Sequence, residues 1–391
     1  MAPASLIDTD SKFDPDDLEL RDAVRSFCDN RFRPGVSEWY ETGEFPVREA
    51  ARELGGLGVL GMHLTGYGCA GSSAMAYGLA CLELEAVDSG LRSLVSVQGS
   101  LAMFAIWKWG SEEQKAHWLP RMARGEAIGC FGLTEPDFGS NPGGMRTFAR
   151  RDGDDWVLNG NKMWITNGSV ADVAIVWAQT SPQGDASGIR GFVVPTDTAG
   201  FSAPQIKHKL SLRASVTSEL VLDEVRLPAA AVLPGAAGLR GPLTCLNEAR
   251  FGIVFGALGA ARDCLETTIR YSREREVFGR PLAGYQLTQA KLADMTLELE
   301  KGMLLAIRLG ELKDGGGLKP EQISLGKLNS TREALEIARG CRTILGAAGI
   351  TGEFPVMRHA NNLESVLTYE GTSEIHQLSI ARAITGHAAF N

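Results

Sequence analysis

Apolar positions change their spacing twice along the chain. From about Asp16 to Gly125 they recur at helical intervals. Leu18, Leu20, Val24 and Phe27 mark one face of a helix between Asp16 and Phe32. Ser111-Glu112-Glu113-Gln114 reads as a capping box that opens a further helix running toward Gly125. From about Ala127 to Leu239 the pattern becomes that of strands. Asp152-Gly153-Asp154-Asp155 predicts a turn between Arg146 to Arg150 and Trp156 to Leu158, while Asp172 to Gln179, Ile189 to Pro195 and Glu219 to Leu227 are short β-branched runs. The helical period returns at about Gly241. Ala290 to Leu312 predicts one long amphipathic helix, Asp314-Gly315-Gly316-Gly317 breaks it, and Pro320 to Leu345 forms the next.

This order predicts a multidomain α and β protein: an N-terminal α-helical domain over 1–126, a middle β domain over 127–239 and a C-terminal α-helical domain over 240–391. A doubly wound sheet would alternate strand with helix and is disfavoured. Gly56-Leu57-Gly58-Val59-Leu60-Gly61 matches a dinucleotide-binding glycine pattern letter for letter. That pattern needs a strand before it, whereas Pro46 to Leu54 reads as a helix, so a helix end and turn is expected and a nicotinamide site is rejected.

Composition narrows the function classes. The chain has 391 residues, 44% hydrophobic and 22% charged, which is globular rather than disordered. Its net charge of −8 argues against a nucleic-acid footprint. Seven scattered cysteines without a C-x-x-C pair fit free thiols in a reducing compartment. The six histidines form no ligand cluster, so no metal is expected. No apolar run is long enough for a membrane span. The acidic first twenty residues are unlike a secretory or organelle leader, which leads to the expectation of a cytoplasmic protein.

Three segments carry candidate chemistry. Gly129 to Thr147, GCFGLTEPDFGSNPGGMRT, is rich in small and hydroxyl residues, suited to a flat heterocycle or phosphates, or equally to an ordinary strand and turn. Lys162-Met163-Trp164-Ile165-Thr166-Asn167 puts an indole two residues before a hydroxyl, on one face of a strand. Glu370, after the apolar stretch Leu363 to Tyr369 and before Gly371, reads either as a solvated helix end or as a buried base of raised pKa. Glu85 and Arg92, seven apart, would share a helix face and pair. Arg92 beside Ser93 suits either that internal pair or a bidentate grip on a substrate carboxylate.

Together these motifs resemble the acyl-CoA dehydrogenases, which use FAD. The resemblance rests on F-x-L-T-E-P-x-x-G-S, on K-x-W-I-T-N, on Arg275-Glu276-Val277-Phe278-Gly279 with Pro281-Leu282, Gln286 and Leu292-Ala293-Asp294-Met295, and on Tyr369-Glu370-Gly371-Thr372. Glu85 to Ser93 and Leu246-Asn247-Glu248-Ala249-Arg250 are similar to the glutaryl-CoA-oxidising branch. Asn141 and Ala347 depart from the family pattern. The resemblance implies a middle domain curled into a β-barrel-like form and a C-terminal four-helix bundle. It implies Glu370 as the catalytic base, with the Glu370 backbone N–H and an FAD hydroxyl as donors to the thioester oxygen.

Substrate contacts implied by the family are Glu85, Arg92, Ser93, Ser140, Leu246, Asn247, Arg250, Tyr369 and Gly371. Cofactor contacts are Phe131, Leu133, Thr134, Gly139, Ser140, Trp164, Ile165, Thr166, Thr372 and Glu374, with Arg275, Phe278, Gln286, Leu345, Gly346 and Ala347 reaching across a subunit boundary. The expected reaction is α,β-dehydrogenation of glutaryl-CoA with decarboxylation to crotonyl-CoA and CO2, the electrons passing to an electron-transferring flavoprotein. A short- or branched-chain acyl-CoA dehydrogenase without decarboxylation is the alternative. The expected assembly is a homo-oligomer, a homotetramer by family resemblance.

Overall fold

The computed structural model describes residues 6–182 and 185–389. Helices come first: α1 (Pro15–Arg31), α2 (Val36–Thr42), α3 (Val47–Gly56), α4 (Ala74–Val87), α5 (Ser89–Ser96), a π-helical turn (Val97–Met103), α6 (Phe104–Trp109) and α7 (Glu112–Ala123), with a small hairpin of β1 (Thr65–Gly66) and β2 (Cys69–Ala70) between α3 and α4. The Ser111 capping box forms as expected, Ser111 Oγ accepting from Gln114 N and the Gln114 side chain from Ser111 N. The glycine-rich stretch at 56–61 follows helix α3, and Gly58 and Gly61 take positive φ of 80° and 66°. It is a helix end and turn, and no strand feeds it.

The middle sheet holds β3 (Gly129–Gly132), β4 (Phe148–Asp152), β5 (Asp155–Thr166), β6 (Val173–Gln179), β7 (Ile189–Pro195), β8 (Phe201–Ser202) and β9 (Thr217–Pro228). Its hydrogen-bonded order is β3-β6-β4-β5-β9-β8, with β7 on β6. The turn at Gly153-Asp154 joins β4 to β5 in register Asp152↔Asp155. Strand β6 is buried at all seven positions. Its alternate side chains explain why. Val173, Ile175 and Trp177 pack with Leu101, Phe104, Trp118 and Met122 of the N-terminal helices, whereas Ala174, Val176 and Ala178 face the sheet's inner core with Leu158, Phe192 and Leu220. One strand therefore ties sheet to helices.

The small hairpin of β10 (Glu276–Val277) and β11 (Arg280–Pro281) separates α8 (Arg240–Glu274) from α9 (Gln286–Asp314), followed by α10 (Pro320–Leu345), α11 (Val356–Thr368) and α12 (Ser373–Thr385). Helix α10 packs against α8, α9, α11 and α12. Helix α4 is buried on every side, between α1 and α8, so the N-terminal helices and the C-terminal bundle share a single core. Glu83 sits inside this seam and takes paired hydrogen bonds from Arg25 and Arg262, which hold its carboxyl at about 2 against the cost of burial. That clamp fixes α1, α4 and α8 side by side, and α4 and α8 carry the residues that surround the site.

Candidate active site

Tyr369, Glu370 and Gly371 form the link between α11 and α12. Tyr369 ends α11 in an extended conformation, and Thr372 caps α12 by accepting from Ile375 N at 3.4 Å. Glu370 is thus not a solvated helix end. Its backbone lies in the left-handed region at φ 54°, uncommon for a residue with a side chain and a conformation that surrounding contacts must impose. Gly371, at φ 102°, also lies over the buried His376 ring, where a Cβ would come within 3.0 Å of Nε2. Glycine satisfies both demands.

Three consecutive carbonyls of this link are held by two cations, the buried Lys327 and the half-buried Arg250. Lys327 Nζ donates to Tyr369 O at 2.6 Å and to Gly371 O at 2.7 Å, and Arg250 Nε donates to Glu370 O at 2.7 Å. Arg250 is itself braced by Asn247 Oδ1 at 3.1 Å. Glu370 is half-buried, and one oxygen of its carboxylate, Oε2, is buried with no hydrogen-bond partner among the described residues. Burial pushes its pKa up, opposed by the charges of Arg92, Lys327 and Arg250. A carboxylate oxygen buried without a hydrogen-bond partner disfavours the charged form and raises the group's proton affinity.

On the other side of Tyr369 lies the pair anticipated from the sequence. Arg92 Nε donates to Glu85 Oε2 at 2.6 Å, and Nη2 donates to the Tyr369 hydroxyl, which Ser93 Oγ approaches at 3.5 Å. Arg92 is 1% exposed and Glu85 is wholly buried. Burial opposes the Arg92 charge, but Glu85 and Tyr369 outweigh it and keep the guanidinium firmly protonated. The two residues do not share one continuous helix, however. Asp88, at φ −164° and ψ 142°, ends α4 and caps α5 through Gly90 N at 2.7 Å. The pair spans this break, and Gly256 of α8 makes room for it, since a Cβ there would overlap Glu85 Oε2.

The two middle-domain motifs meet where Met163 N donates to Thr134 O at 2.8 Å. Trp164 and Thr166 both turn outward around the buried Ile165, but not as a regular strand. Register shifts between Lys162↔Leu220 and Ile165↔Ser218, and Trp164 takes a positive φ of 63°. This bulge aims an indole that is 60% exposed away from the core. Behind it Lys162 Nζ donates to Glu135 Oε1 at 2.8 Å and Leu133 O at 3.1 Å, while Glu135 accepts from the backbone of Arg146 and Thr147. Burial pushes Lys162 down to about 8, with Glu135 opposing. The Phe131 and Leu133 side chains point into the core beside Trp177, so the edge at this strand end is backbone and Thr134. Gly139 and Ser140 lie in the exposed loop that follows, and a Cβ on Gly139 would meet open space.

The remaining motif residues stand apart. Arg275, Phe278 and Gln286 flank the β10–β11 hairpin and share no hydrogen bond with the Glu370 cluster among the described residues. Phe278, at the hairpin tip with φ 51°, is 96% exposed, and Leu287 is 81% exposed. Leu345 turns into the core, while Gly346 and Ala347 are exposed after α10. Leu246 packs partly buried beside the helical core, and Glu374 is exposed in the first turn of α12. Lys327, His376, Lys162 and Glu135 were not singled out by sequence reasoning. For Lys327 a signal exists: it falls on the buried stripe Ile323, Lys327, Ser330, Ala334, Ile337 and Cys341 of α10. A lysine in that register needs a buried partner.

The N-terminal, middle and C-terminal domain families of acyl-CoA dehydrogenase match residues 14–126, 130–225 and 236–385. The fold is similar to the crystal structure of a glutaryl-CoA dehydrogenase from Mycobacterium smegmatis in complex with FADH2, at 69% identity and a TM-score of 0.97 over 100% of both chains. It is also similar to butyryl-CoA dehydrogenase from Megasphaera elsdenii, at 31% identity and a TM-score of 0.91 over 95% of this chain and 98% of that one. The human mitochondrial short-chain specific acyl-CoA dehydrogenase is 37% identical over 365 residues, 93% of this chain and 88% of its own. All three domain families match in order along the chain, and on that ground the chain belongs to the acyl-CoA dehydrogenase family.

Proposed function

We propose that the chain catalyses FAD-dependent α,β-dehydrogenation of glutaryl-CoA and decarboxylates the product to crotonyl-CoA and CO2, with an electron-transferring flavoprotein as electron acceptor. The observation that carries this reading is the Glu370 carboxylate, its Oε2 buried and unpartnered among the described residues, next to the Tyr369–Arg92–Glu85 chain. Identity of 69% to a glutaryl-CoA dehydrogenase supports the narrower substrate. The middle-domain edge fits a flat cofactor: an exposed indole on a bulge, the outward Thr166, the backbone and hydroxyl at Thr134, and the open Gly139-Ser140 loop. Bound FAD supplies the hydride acceptor.

Glu370 takes the α-proton of the thioester. Closing the thioester over it removes the remaining water and keeps its proton affinity high. Its own backbone N–H is the chain's donor to the thioester oxygen, and the three held carbonyls fix where that N–H points. Arg92, with Ser93 and Tyr369, is assigned to the distal carboxylate. Loss of CO2 leaves the C–C bonding electrons in the conjugated thioester as a dienolate, and the protonated Glu370 returns its proton at the γ-carbon. Arg92 is already bonded to Glu85 and Tyr369, the internal pairing that favours the alternative of a short- or branched-chain substrate without decarboxylation. An assay of the purified protein with glutaryl-CoA and butyryl-CoA, a dye acceptor and CO2 trapping separates the two. Glutaryl-CoA preference with CO2 release is expected; butyryl-CoA preference without CO2 removes the glutaryl reading.

The assembly we assign is a homotetramer. Phe278, Leu287 and Ile350, at 96%, 81% and 63% exposure, belong to or adjoin the C-terminal cofactor motifs and lack cover within one chain. Sedimentation is expected to give a multiple of the 41.9 kDa chain. A stable, FAD-saturated monomer would contradict both the assembly and the assignment of Arg275, Phe278 and Gln286 to a neighbouring subunit's cofactor.

A further inference from the structure

Lys327 is wholly buried, yet no carboxylate is hydrogen-bonded to it among the described residues. Its two bonds go to the carbonyls of Tyr369 and Gly371, which flank Glu370 in sequence. Helix α10 supplies it, and Ser324, one turn earlier on the same helix, meets His376 Nδ1 at 3.1 Å beneath Gly371. One face of α10 thus supports the whole left-handed link. Arg250 of α8 completes the support at the Glu370 carbonyl. An ammonium buried on backbone dipoles rather than on a counter-ion is costly to keep, and the negative charge that opposes its downward shift is that of Glu370.

We propose that Lys327 is a positioning residue for Glu370: by holding the Tyr369 and Gly371 carbonyls it fixes the left-handed peptide that carries the base and sets a buried cation beside that peptide. The proposal rests on the reading of Glu370 as the base. The charged and titratable groups around the two are Arg92 from α5, with Glu85 of α4 behind it, Arg250 from α8, His376 from α12 and the Tyr369 phenol. Burial pushes Lys327 down while Glu370 opposes the shift, and burial pushes Glu370 up while Arg92, Lys327 and Arg250 oppose it. His376, driven to about 3 by burial and by Lys327 and Arg250, adds no charge at neutral pH. The sign follows. Removing the Lys327 charge raises the pKa of Glu370, so the ionised base is lost at a higher pH than in the parent.

The test compares Lys327→Met and Lys327→Arg with the parent, as FAD-loaded enzymes whose melting temperature and flavin spectrum confirm folding. Lys327→Met is expected to lose about 10- to 100-fold in kcat, because the base peptide is no longer held. The acid limb of its kcat/KM profile is expected to move up by about one pH unit. Lys327→Arg keeps the charge, so its acid limb stays at the parental position while kcat remains reduced by the bulkier group. Should the Met variant not fold, Lys327→Gln replaces it as the neutral comparison. A folded neutral variant with the parental acid limb overturns the proposal, as does an Arg variant whose limb moves with the neutral one. Glu370→Gln distinguishes the two layers. If that variant still turns over, the base assignment fails; if it is inactive while the neutral Lys327 variant behaves as the parent, only the role of Lys327 fails.

Discussion

Glu370→Gln is expected to keep its flavin and its thioester affinity and to lose turnover. The amide fills the same volume at the same left-handed position, held by the same three carbonyl contacts, but has no lone pair basic enough to take the α-proton. Removing a general base costs about 10²- to 10⁴-fold, and more where water cannot substitute. Oε2 is buried and meets no hydrogen-bond partner among the described residues, and a bound thioester would cover the rest of the half-buried side chain. The loss should fall on kcat and on the single-turnover reduction of the flavin, followed by its visible absorbance, with little change in thioester binding. Rates within tenfold of the parent would remove Glu370 from the chemical step. The parent should also show an acid limb in kcat/KM. Burial raises the Glu370 pKa, and only the ionised form accepts a proton, so activity falls as pH drops through that raised value.

Arg92→Gln is expected to damage glutaryl-CoA turnover far more than butyryl-CoA turnover. Losing one member of a desolvated charge pair costs roughly 2–5 kcal/mol, about 30- to several-thousand-fold in kcat/KM, and butyryl-CoA has no distal carboxylate to lose. The structure adds a complication. Arg92 is also the hydrogen-bond partner of Glu85, whose Oε1 is already buried without one, so the single variant strands a whole carboxylate among apolar helices. A lowered melting temperature is therefore expected alongside the selective loss. Glu85→Gln in the same chain removes that stranded charge, and the double variant should recover melting temperature without recovering glutaryl-CoA turnover. Equal loss for both substrates, restored together by the second substitution, would make Arg92 a structural residue. The substrate would then revert to that of a generic acyl-CoA dehydrogenase.

Both experiments turn on how few groups set the chemistry. Glu370, Tyr369 and Gly371 are three successive residues, but their conformation depends on α8 and α10, and the charge balance adds α5. A change in any of those helices therefore reaches the base. Asn247, through its hydrogen bond to Arg250, is thereby connected to the same link.

What the sequence determined by itself was local or periodic. The switch from helical to strand spacing near Ala127 and back near Gly241, the helix at 320–345, the capping box at Ser111 and the turn at Gly153 all depend on neighbours within a few residues, and each formed. The glycine run at 56–61 was legible as a helix end for the same reason, because the element before it decides its meaning. The family motifs mark Glu370, Arg92 and Trp164 by residue type. Tertiary structure decided their conformations and their partners. The breaks at Asp88 and Trp164 interrupt patterns that local spacing reads as continuous, since a cap and a bulge are selected by what packs against them. Lys327 and Arg250 lie 42 and 120 residues from the carbonyls of Tyr369 and Glu370 that they hold. Periodicity shows that a residue faces inward but not which group it will meet there. The choice of partner is made only when α8 and α10 close around the link and leave a buried ammonium that must be satisfied by the backbone carbonyls it meets there.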